Sequence, residues 1–285
     1  MHEFVQLVGV KIFYIIYFTV LYAGLGLGLF YVVGMLIGRL EKETNTLLYR
    51  NIGKQATYLT SFIGVPVHEL SHALVAKLFG FRINKIKLLQ FNDPSGTRGY
   101  VNYSMNPNSR KDRIGTFFSS TAPLYVGVGV ITLLFWLLLP NTFDKWWVDI
   151  AKIDNLLDII PYSFGVFLDL FSKENFNNEL FYLFLIFGVS IASCMTLSKA
   201  DIRIAKEGVY SVIFVIFIVN IYRVLMADSD TLNLQSTGLS AMAFSPFMMI
   251  IYSMIALCLL LAVFWFVLVY VFVSAVSVVG LKRRV

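Results

Sequence analysis

The sequence predicts an α-helical polytopic membrane protein with about six transmembrane helices and a small β-hairpin between the second and the third. Three observations lead to this fold class. Of the 285 residues, 58% are apolar and 14% are charged, whereas soluble domains carry about 25% charged residues. The apolar residues form continuous blocks, and several blocks reach the roughly 20 residues that a spanning helix needs. Between two blocks, apolar and polar residues alternate as they do in strands.

Six apolar blocks define the predicted spans. Their approximate limits are 5–40, 56–81, 114–139, 180–197, 209–226 and 241–281. The first and the last block are longer than one membrane crossing, so each is expected to be tilted or broken. Gly64 and Pro66 lie in the second block, where they favour an irregular or kinked helix. No repeat or low-complexity segment divides the chain, and we predict one membrane-embedded domain over 1–285.

Residues 82–105 are predicted to form the β-hairpin. Apolar residues alternate with polar ones from the start of this segment, residues 92–96 carry a turn signal, and the strand pattern resumes at 99–103. The hairpin is thus expected as an insertion between two membrane helices.

The long connection at 141–179 is predicted to be an interfacial loop. Its short apolar pieces suggest a helix that lies at the membrane surface. Trp146 and Trp147 form an aromatic pair of the type found at membrane–water interfaces. We therefore expect this connection to run along the bilayer surface.

The distribution of charge predicts the orientation in the membrane. Lys and Arg accumulate in cytoplasmic loops, and residues 81–115 contain seven of them against two acidic residues. The 141–179 connection contains three basic and seven acidic residues. We therefore expect the hairpin and the turn around Asp201 on the cytoplasmic side, with the active site opening towards the cytoplasm. The aromatic residues lie inside apolar blocks and not on a basic face, so no nucleic-acid partner is expected.

The segment His68-Glu69-Leu70-Ser71-His72 lies in the second apolar block. On a helix, His68 and His72 are one turn apart on the same side, so both imidazoles can bind one Zn²⁺. Glu69 can reach a water at the metal and act as general base. Charged residues at mid-membrane cost about 2–3 kcal/mol each and indicate function, a cost that a chance match leaves unexplained. The sequence therefore predicts a zinc cofactor, with His68 and His72 as ligands and Glu69 as the catalytic residue.

A third protein ligand is expected, because catalytic zinc usually has three and one open position. With no histidine left for this role, Asp201 is favoured by its type and by its place just after the fourth apolar block. Cys194, two turns earlier, is the rival ligand. Asp169, Glu174 and Glu179 are expected on the opposite side of the membrane.

This pattern resembles the site-2 protease family of intramembrane zinc metalloproteases, over roughly residues 56–210. The likeness is carried by the His68–His72 motif in an apolar helix, the β-structured segment and span that follow, and the later aspartate. In the family that aspartate lies in an Asn-Pro-Asp-Gly-like sequence, whereas this chain has Ser198-Lys199-Ala200-Asp201, which indicates a divergent member. The 141–179 connection is too short for a PDZ-like insertion.

The resemblance implies a metalloprotease core at 56–210. His68, His72 and Asp201 would bind the zinc and Glu69 would be the base. A membrane-associated hairpin would hold the unwound substrate, and its second strand supplies the predicted substrate-binding residues: Tyr100, Val101, Asn102 and Tyr103.

The predicted function is hydrolysis of peptide bonds in or next to transmembrane segments, by zinc-activated water. The expected partners are a membrane-protein substrate and the lipid bilayer, and no oligomeric state is predicted. One alternative is a membrane zinc hydrolase of a lipidated substrate. The other is a non-catalytic metal-binding protein or transporter, which would need ionisable residues along a path on several helices. Only Asn220 and Arg223 suggest such a path, and two residues are too few to favour a transporter over an enzyme.

Overall fold

The protein is a bundle of helices with one small β-sheet. The computed structural model describes residues 2–91, 97–106, 108–153, 156–226 and 246–278. The predicted turn at 92–96 and the terminal basic residues 282–284 lie outside this part of the chain. The described helices are α1 (His2–Tyr22), α2 (Leu29–Asn51), α3 (Lys54–Ser61), α4 (Gly64–Leu78), α5 (Arg110–Leu138), α6 (Pro140–Ile150), α7 (Ile159–Leu170), α8 (Lys173–Phe176), α9 (Glu179–Cys194), α10 (Lys199–Met226) and α11 (Pro246–Val278).

Four of these helical stretches are long and apolar enough to cross a membrane. They are Val8–Asn51, Arg110–Leu138, Lys199–Met226 and Met248–Ser277. The first stretch joins α1 to α2 through a π-helical turn at Ala23–Gly28. The first apolar block, predicted to be tilted or broken, is therefore helical throughout with a local irregularity at this turn. These helices support an integral membrane protein.

The prediction of about six spans is not confirmed, because the second and fourth apolar blocks form short helices. The fourth block gives α9, with 16 residues. The second block is divided between α3, with 8 residues, and α4, with 15. A straight spanning helix needs about 20 residues, so neither block alone has the usual length.

Local chemistry sets the limits of α4. Pro66 lies in its first turn, where the missing N–H of proline is harmless. At its other end Gly80 has a φ of +85°. There the N–H of Gly80 bonds to the Lys77 carbonyl and the N–H of Phe81 to the Ala76 carbonyl, a Schellman cap. The helix thus begins and ends where backbone constraints require, although the apolar sequence continues on both sides.

The 141–179 connection, for which a surface helix was predicted, is largely helical. It contains α6, a 3₁₀ turn at Leu156–Asp158, α7 and α8, and α7 packs against α11. Trp146 is 1% exposed, and its Nε1–H donates a hydrogen bond to Ser253 Oγ at 3.0 Å. Trp147 is 50% exposed. Trp146 is thus held inside the protein through its indole N–H, and the interfacial position of the pair stays a prediction.

The predicted β-hairpin is confirmed in the described residues. Strands β1 (Arg82–Lys87) and β2 (Tyr100–Ser104) pair in antiparallel register from Arg82–Ser104 to Lys87–Tyr100. The register is interrupted between Ile83 and Lys85, and the side chain of the intervening Asn84 bonds to Ser104 Oγ at 2.7 Å. Both strands contact α4, so the sheet lies beside the helix that carries the histidines.

Two close helix crossings depend on glycine. A Cβ at position 64 would lie 2.1 Å from the Ser190 carbonyl oxygen of α9, and one at position 208 would lie 2.1 Å from the Arg113 carbonyl oxygen of α5. No side chain fits at either distance. The first crossing sets α4 against α9, and the second sets α10 against α5.

Substituting Gly64 by alanine is expected to lower stability by about 1–3 kcal/mol, the usual cost of overpacking. The added methyl group would collide with backbone, which cannot move aside as a flexible side chain can. Gly129→Ala is the matched control, since a Cβ there meets nothing within 4 Å. The thermal unfolding midpoint in detergent should fall for Gly64→Ala and stay unchanged for Gly129→Ala. Equal midpoints for both variants would contradict the close α4–α9 contact.

Candidate metal centre

Helix α4 places the two histidines of the motif side by side. Their ring centroids are 4.8 Å apart, and His72 Nε2 lies 3.1 Å from His68 Nε2. This is the arrangement that the i, i+4 spacing predicts for one helical face. Both Nε2 atoms therefore face a common point.

Asp201, far away in the sequence, lies at the same point. Its Oδ1 is 3.5 Å from His72 Nε2, and the ligand atoms of His68, His72 and Asp201 all lie within 4.8 Å of one another. In the part of the chain that the structure describes, this is the group of His, Cys, Asp or Glu side chains that could hold a metal ion. The structure thus brings Asp201 next to the two histidines, and its role as third zinc ligand stays a prediction.

A capping box at the start of α10 fixes the Asp201 carboxylate. The backbone N–H of Ser198 donates to Asp201 Oδ2 at 2.8 Å, and the N–H of Asp201 donates to Ser198 Oγ at 3.1 Å. This reciprocal pair is the Ser-x-x-acid motif of helix N-termini. One carboxylate oxygen is thereby used in the cap, which leaves Oδ1 to face His72.

Two backbone carbonyls fix the tautomer of the histidines. His68 Nδ1 lies 2.7 Å from the Cys194 carbonyl oxygen, and His72 Nδ1 lies 2.7 Å from the Ser119 carbonyl oxygen. A carbonyl oxygen can only accept, so each Nδ1 carries the proton. In neutral imidazoles both Nε2 atoms are then acceptors. Metal-bound histidines have this kind of second partner on the other ring nitrogen.

The donor set fits a divalent metal. Two Nε2 lone pairs and one carboxylate oxygen converge, and no proton lies between these three acceptor atoms. A cation bound at this point would be a partner for all three. Two ligand atoms about 2.0–2.1 Å from a tetrahedral Zn²⁺ lie about 3.3 Å apart. Two of the observed separations, 3.1 Å and 3.5 Å, lie on either side of this value, and the third, between His68 and Asp201, lies within 4.8 Å.

Glu69 follows His68 on α4 and is 7% exposed, and its carboxyl group is close enough to Asp201 for the two charges to interact. A Cβ added at Gly99 would be 2.7 Å from its Cγ and 2.9 Å from its Oε1. The backbone that leads into β2 therefore packs directly on this carboxylate.

Cys194, the rival third ligand, contributes its backbone to the site and not its thiol. Its carbonyl accepts from His68, whereas its Sγ would be 2.5 Å from a Cβ at Gly64. The thiol thus packs against the start of α4, and the metal-site group does not include it.

Strand β2 runs past the site, and its residue Tyr103 contacts Ser119, whose carbonyl accepts from His72. Tyr103 stacks on Phe81 at 5.4 Å between ring centroids. Burial raises the pKa of Tyr103 above its ordinary value, while a hydrogen bond with the Ser119 side chain acts in the opposite direction. The Ser119 hydroxyl in turn donates to the His72 carbonyl at 3.2 Å. Because Gly99 contacts Glu69, β2 extends from the Glu69 side chain towards Ser119.

Sequence reasoning did not identify the residues that support the ligands. Ser119 and Cys194 act through carbonyl oxygens, which every residue type has, so no sequence signal could find them. Ser198 was detectable, because Ser198-x-x-Asp201 is a capping-box pattern before an apolar run.

Removing the Asp201 side chain is expected to lower both zinc content and hydrolysis. Asp201→Ala deletes the only oxygen ligand of the group but also half of the capping box, whose loss costs about 1 kcal/mol. Asp112→Ala is therefore the matched control, since Asp112 also follows a capping serine on α5: its N–H donates to Ser109 Oγ, and its carboxylate accepts from the Ser109 hydroxyl. Cys194→Ala should leave zinc and activity unchanged. Loss of zinc in Cys194→Ala but not in Asp201→Ala would reverse the ligand set.

Comparisons with protein-family models, with curated proteins and with solved structures found no match to this chain. The likeness to site-2 proteases therefore rests on the residues described above.

Proposed function

We propose that the protein is a multi-pass intramembrane zinc metalloprotease, a divergent relative of the site-2 proteases. One observation carries the proposal: His68, His72 and Asp201 converge with both Nε2 atoms available to a metal, and Glu69 follows His68 on the same helix. The sequence order His-Glu-x-x-His is the one that metalloproteases use for two ligands and a base. The chain also has helices that can cross a membrane.

The residues have separate roles in the proposed reaction. His68, His72 and Asp201 would hold the zinc, which when bound polarises a carbonyl and lowers the pKa of a water to about 7. Glu69 would accept a proton from the attacking water and pass it to the leaving amine nitrogen. Burial of Glu69 keeps bulk water from competing for this proton.

Strand β2 supports a peptide as the substrate. A peptide bond inside a helix is unavailable until its carbonyl leaves the helical hydrogen-bond ladder, so the substrate must unwind. A strand next to the centre offers a template for strand addition, and β2 runs from Gly99, on Glu69, to Tyr103, near Ser119. Tyr100, Val101, Asn102 and Tyr103 are proposed to bind the unwound segment.

The charge of the hairpin supports a cytoplasmic site. Arg82, Lys85 and Lys87 of β1 are exposed, and short basic segments are retained on the cytoplasmic side. Since both strands contact α4, the proposed active site opens towards the cytoplasm.

Substrate trapping separates this proposal from its rivals. Inactive Glu69→Gln protein, purified from membranes after crosslinking, should retain membrane proteins, and wild type should cleave them next to a transmembrane segment. Capture of lipidated molecules alone would favour the lipidated-substrate hydrolase. The transporter alternative gains no support from Asn220 and Arg223, because their side chains bond to Thr19 and Tyr22 of α1.

A further inference from the structure

A second polar cluster lies next to the metal centre and is unused by the proposed mechanism. Arg98 Nη2 lies 2.9 Å from Glu41 Oε1, and the two side chains are 22% and 23% exposed. The other terminal nitrogen of Arg98 donates to the hydroxyl of Ser61, which is fully buried. Arg98 thus connects the segment before β2 to both α2 and α3.

The backbone of this segment is held as well. The N–H of Gln90 donates to the Arg98 carbonyl at 2.7 Å, and the Gln90 side-chain amide donates to the Thr97 carbonyl at 2.8 Å. Arg98 is therefore anchored through its side chain on one side and through the hairpin on the other.

The residue after Arg98 packs on the general base. Gly99 leaves no room for a side chain, because a Cβ there would be 2.7 Å from Glu69 Cγ and 3.0 Å from the Leu88 carbonyl oxygen. Movement of this backbone would move the wall against which Glu69 is packed. The position of Arg98 and the position of the Glu69 carboxylate are therefore mechanically connected through one peptide unit.

The chemistry of the cluster suits a positioning role. A largely buried ion pair contributes little net stability, because desolvation offsets the attraction between the charges. A guanidinium that bonds two partners in its fork fixes orientation well. The partners come from two helices, so the pair locates the 97–99 segment against the bundle.

We propose that Arg98 is a positioning residue, which through its bonds to Glu41 and Ser61 holds Gly99 against Glu69 and so fixes the general base at the metal centre. This inference rests on the proposed function. In the described part of the chain, Arg98 and Glu41 form no hydrogen bond or ion pair with the three proposed ligand side chains or with Glu69; the charge of Arg98 acts on His68, and Arg98→Lys retains it.

The test compares Arg98→Met, Glu41→Gln, Arg98→Lys and Gly99→Ala in detergent-purified full-length protein. Arg82→Met is the matched control, since Arg82 is an exposed arginine of the same hairpin. Misplacing a catalytic group by about 1 Å can cost about 100-fold in rate. We expect Arg98→Met, Glu41→Gln and Gly99→Ala to lose about 10-fold to 100-fold in kcat, with zinc content close to that of wild type. The thermal midpoint should fall in Arg98→Met, which leaves Glu41 and Ser61 without their partner, and in Gly99→Ala, where the added methyl group meets backbone. Arg98→Lys, which keeps the charge opposite Glu41, should be intermediate.

A binding measurement separates positioning from general damage. A peptide hydroxamate chelates zinc and donates a hydrogen bond to the neighbouring carboxylate, so its affinity should fall in parallel with kcat in Arg98→Met and stay unchanged in Arg82→Met. Wild-type kcat and hydroxamate affinity in Arg98→Met and Gly99→Ala would overturn the role of Arg98. Loss of zinc from Arg98→Met in proportion to its loss of kcat would also overturn it, in favour of a purely structural role. Wild type without zinc or hydrolysis would instead overturn the proposed function, and the role of Arg98 with it.

Discussion

Replacing Glu69 by glutamine is expected to abolish peptide hydrolysis while leaving zinc in place. Glutamine has nearly the same shape, so the packing against Gly99 is retained. Its amide has no basic oxygen to take a proton from water, and general-base catalysis contributes about 10²-fold to 10⁴-fold. The measurement is the initial rate of cleavage of a transmembrane peptide in detergent, with zinc content determined on the same samples.

The control for this substitution is Glu43→Gln. Glu43 is an exposed carboxylate of α2, so its loss should change neither the rate nor the zinc content. Wild-type cleavage by Glu69→Gln would remove Glu69 from the mechanism even if zinc were bound. Cleavage that disappears together with zinc would make Glu69 a structural part of the metal site and not its base.

Replacing His68 and His72 together by alanine is expected to remove both the metal and the activity. The two substitutions delete both nitrogen ligands and leave a single carboxylate oxygen, which binds zinc weakly alone. They also leave the Cys194 and Ser119 carbonyls without their imidazole donors. Each unpaired buried acceptor costs about 1–3 kcal/mol, so the thermal midpoint should fall as well. Cleavage rate, zinc content and midpoint are measured on one preparation.

Loss of stability alone could also abolish the activity of the double variant, so a second experiment removes the metal and keeps the histidines. Wild type stripped by a chelator keeps both histidines and their carbonyl bonds. It should be inactive, and added Zn²⁺ should restore cleavage. His2→Ala, which alters the remaining histidine of the chain, should behave as wild type. Full activity in the chelated protein would show that the histidines act without a metal.

The sequence predicted the metal group because its main signal is local. The i, i+4 spacing of His68 and His72 requires only that the segment be helical. Asp201 was reached by residue type and by its place after an apolar block, and the structure brings it to the histidines. The hairpin was likewise predictable, because strand alternation and a turn signal are local patterns.

The lengths of the helices were not predictable from hydropathy alone. Residues 56–81 form one apolar block, but the helix is interrupted before Gly64 and is capped at Gly80. The reason Gly64 is required becomes visible only when α9 is in place, since its close neighbours are Ser190 and Cys194. Apolar composition reports the environment of a segment and not where its backbone bonds begin and end.

The supporting contacts were hidden for a different reason. The Arg98–Glu41 pair joins residues 57 positions apart, and the histidine partners are carbonyls 126 and 47 positions away. Such contacts depend on the packing of whole helices. A sequence read segment by segment therefore finds the candidate ligands and misses the residues that contact and orient them.

Zinc stoichiometry tests the central claim most directly. It is measured by elemental analysis of detergent-purified wild type, Glu69→Gln and the His68→Ala/His72→Ala double variant, after supply of Zn²⁺ and removal of the excess. The structure predicts about one zinc per chain in the first two proteins and none in the third. No zinc in wild type under these conditions, or equal zinc in all three, would contradict a metal centre at His68, His72 and Asp201.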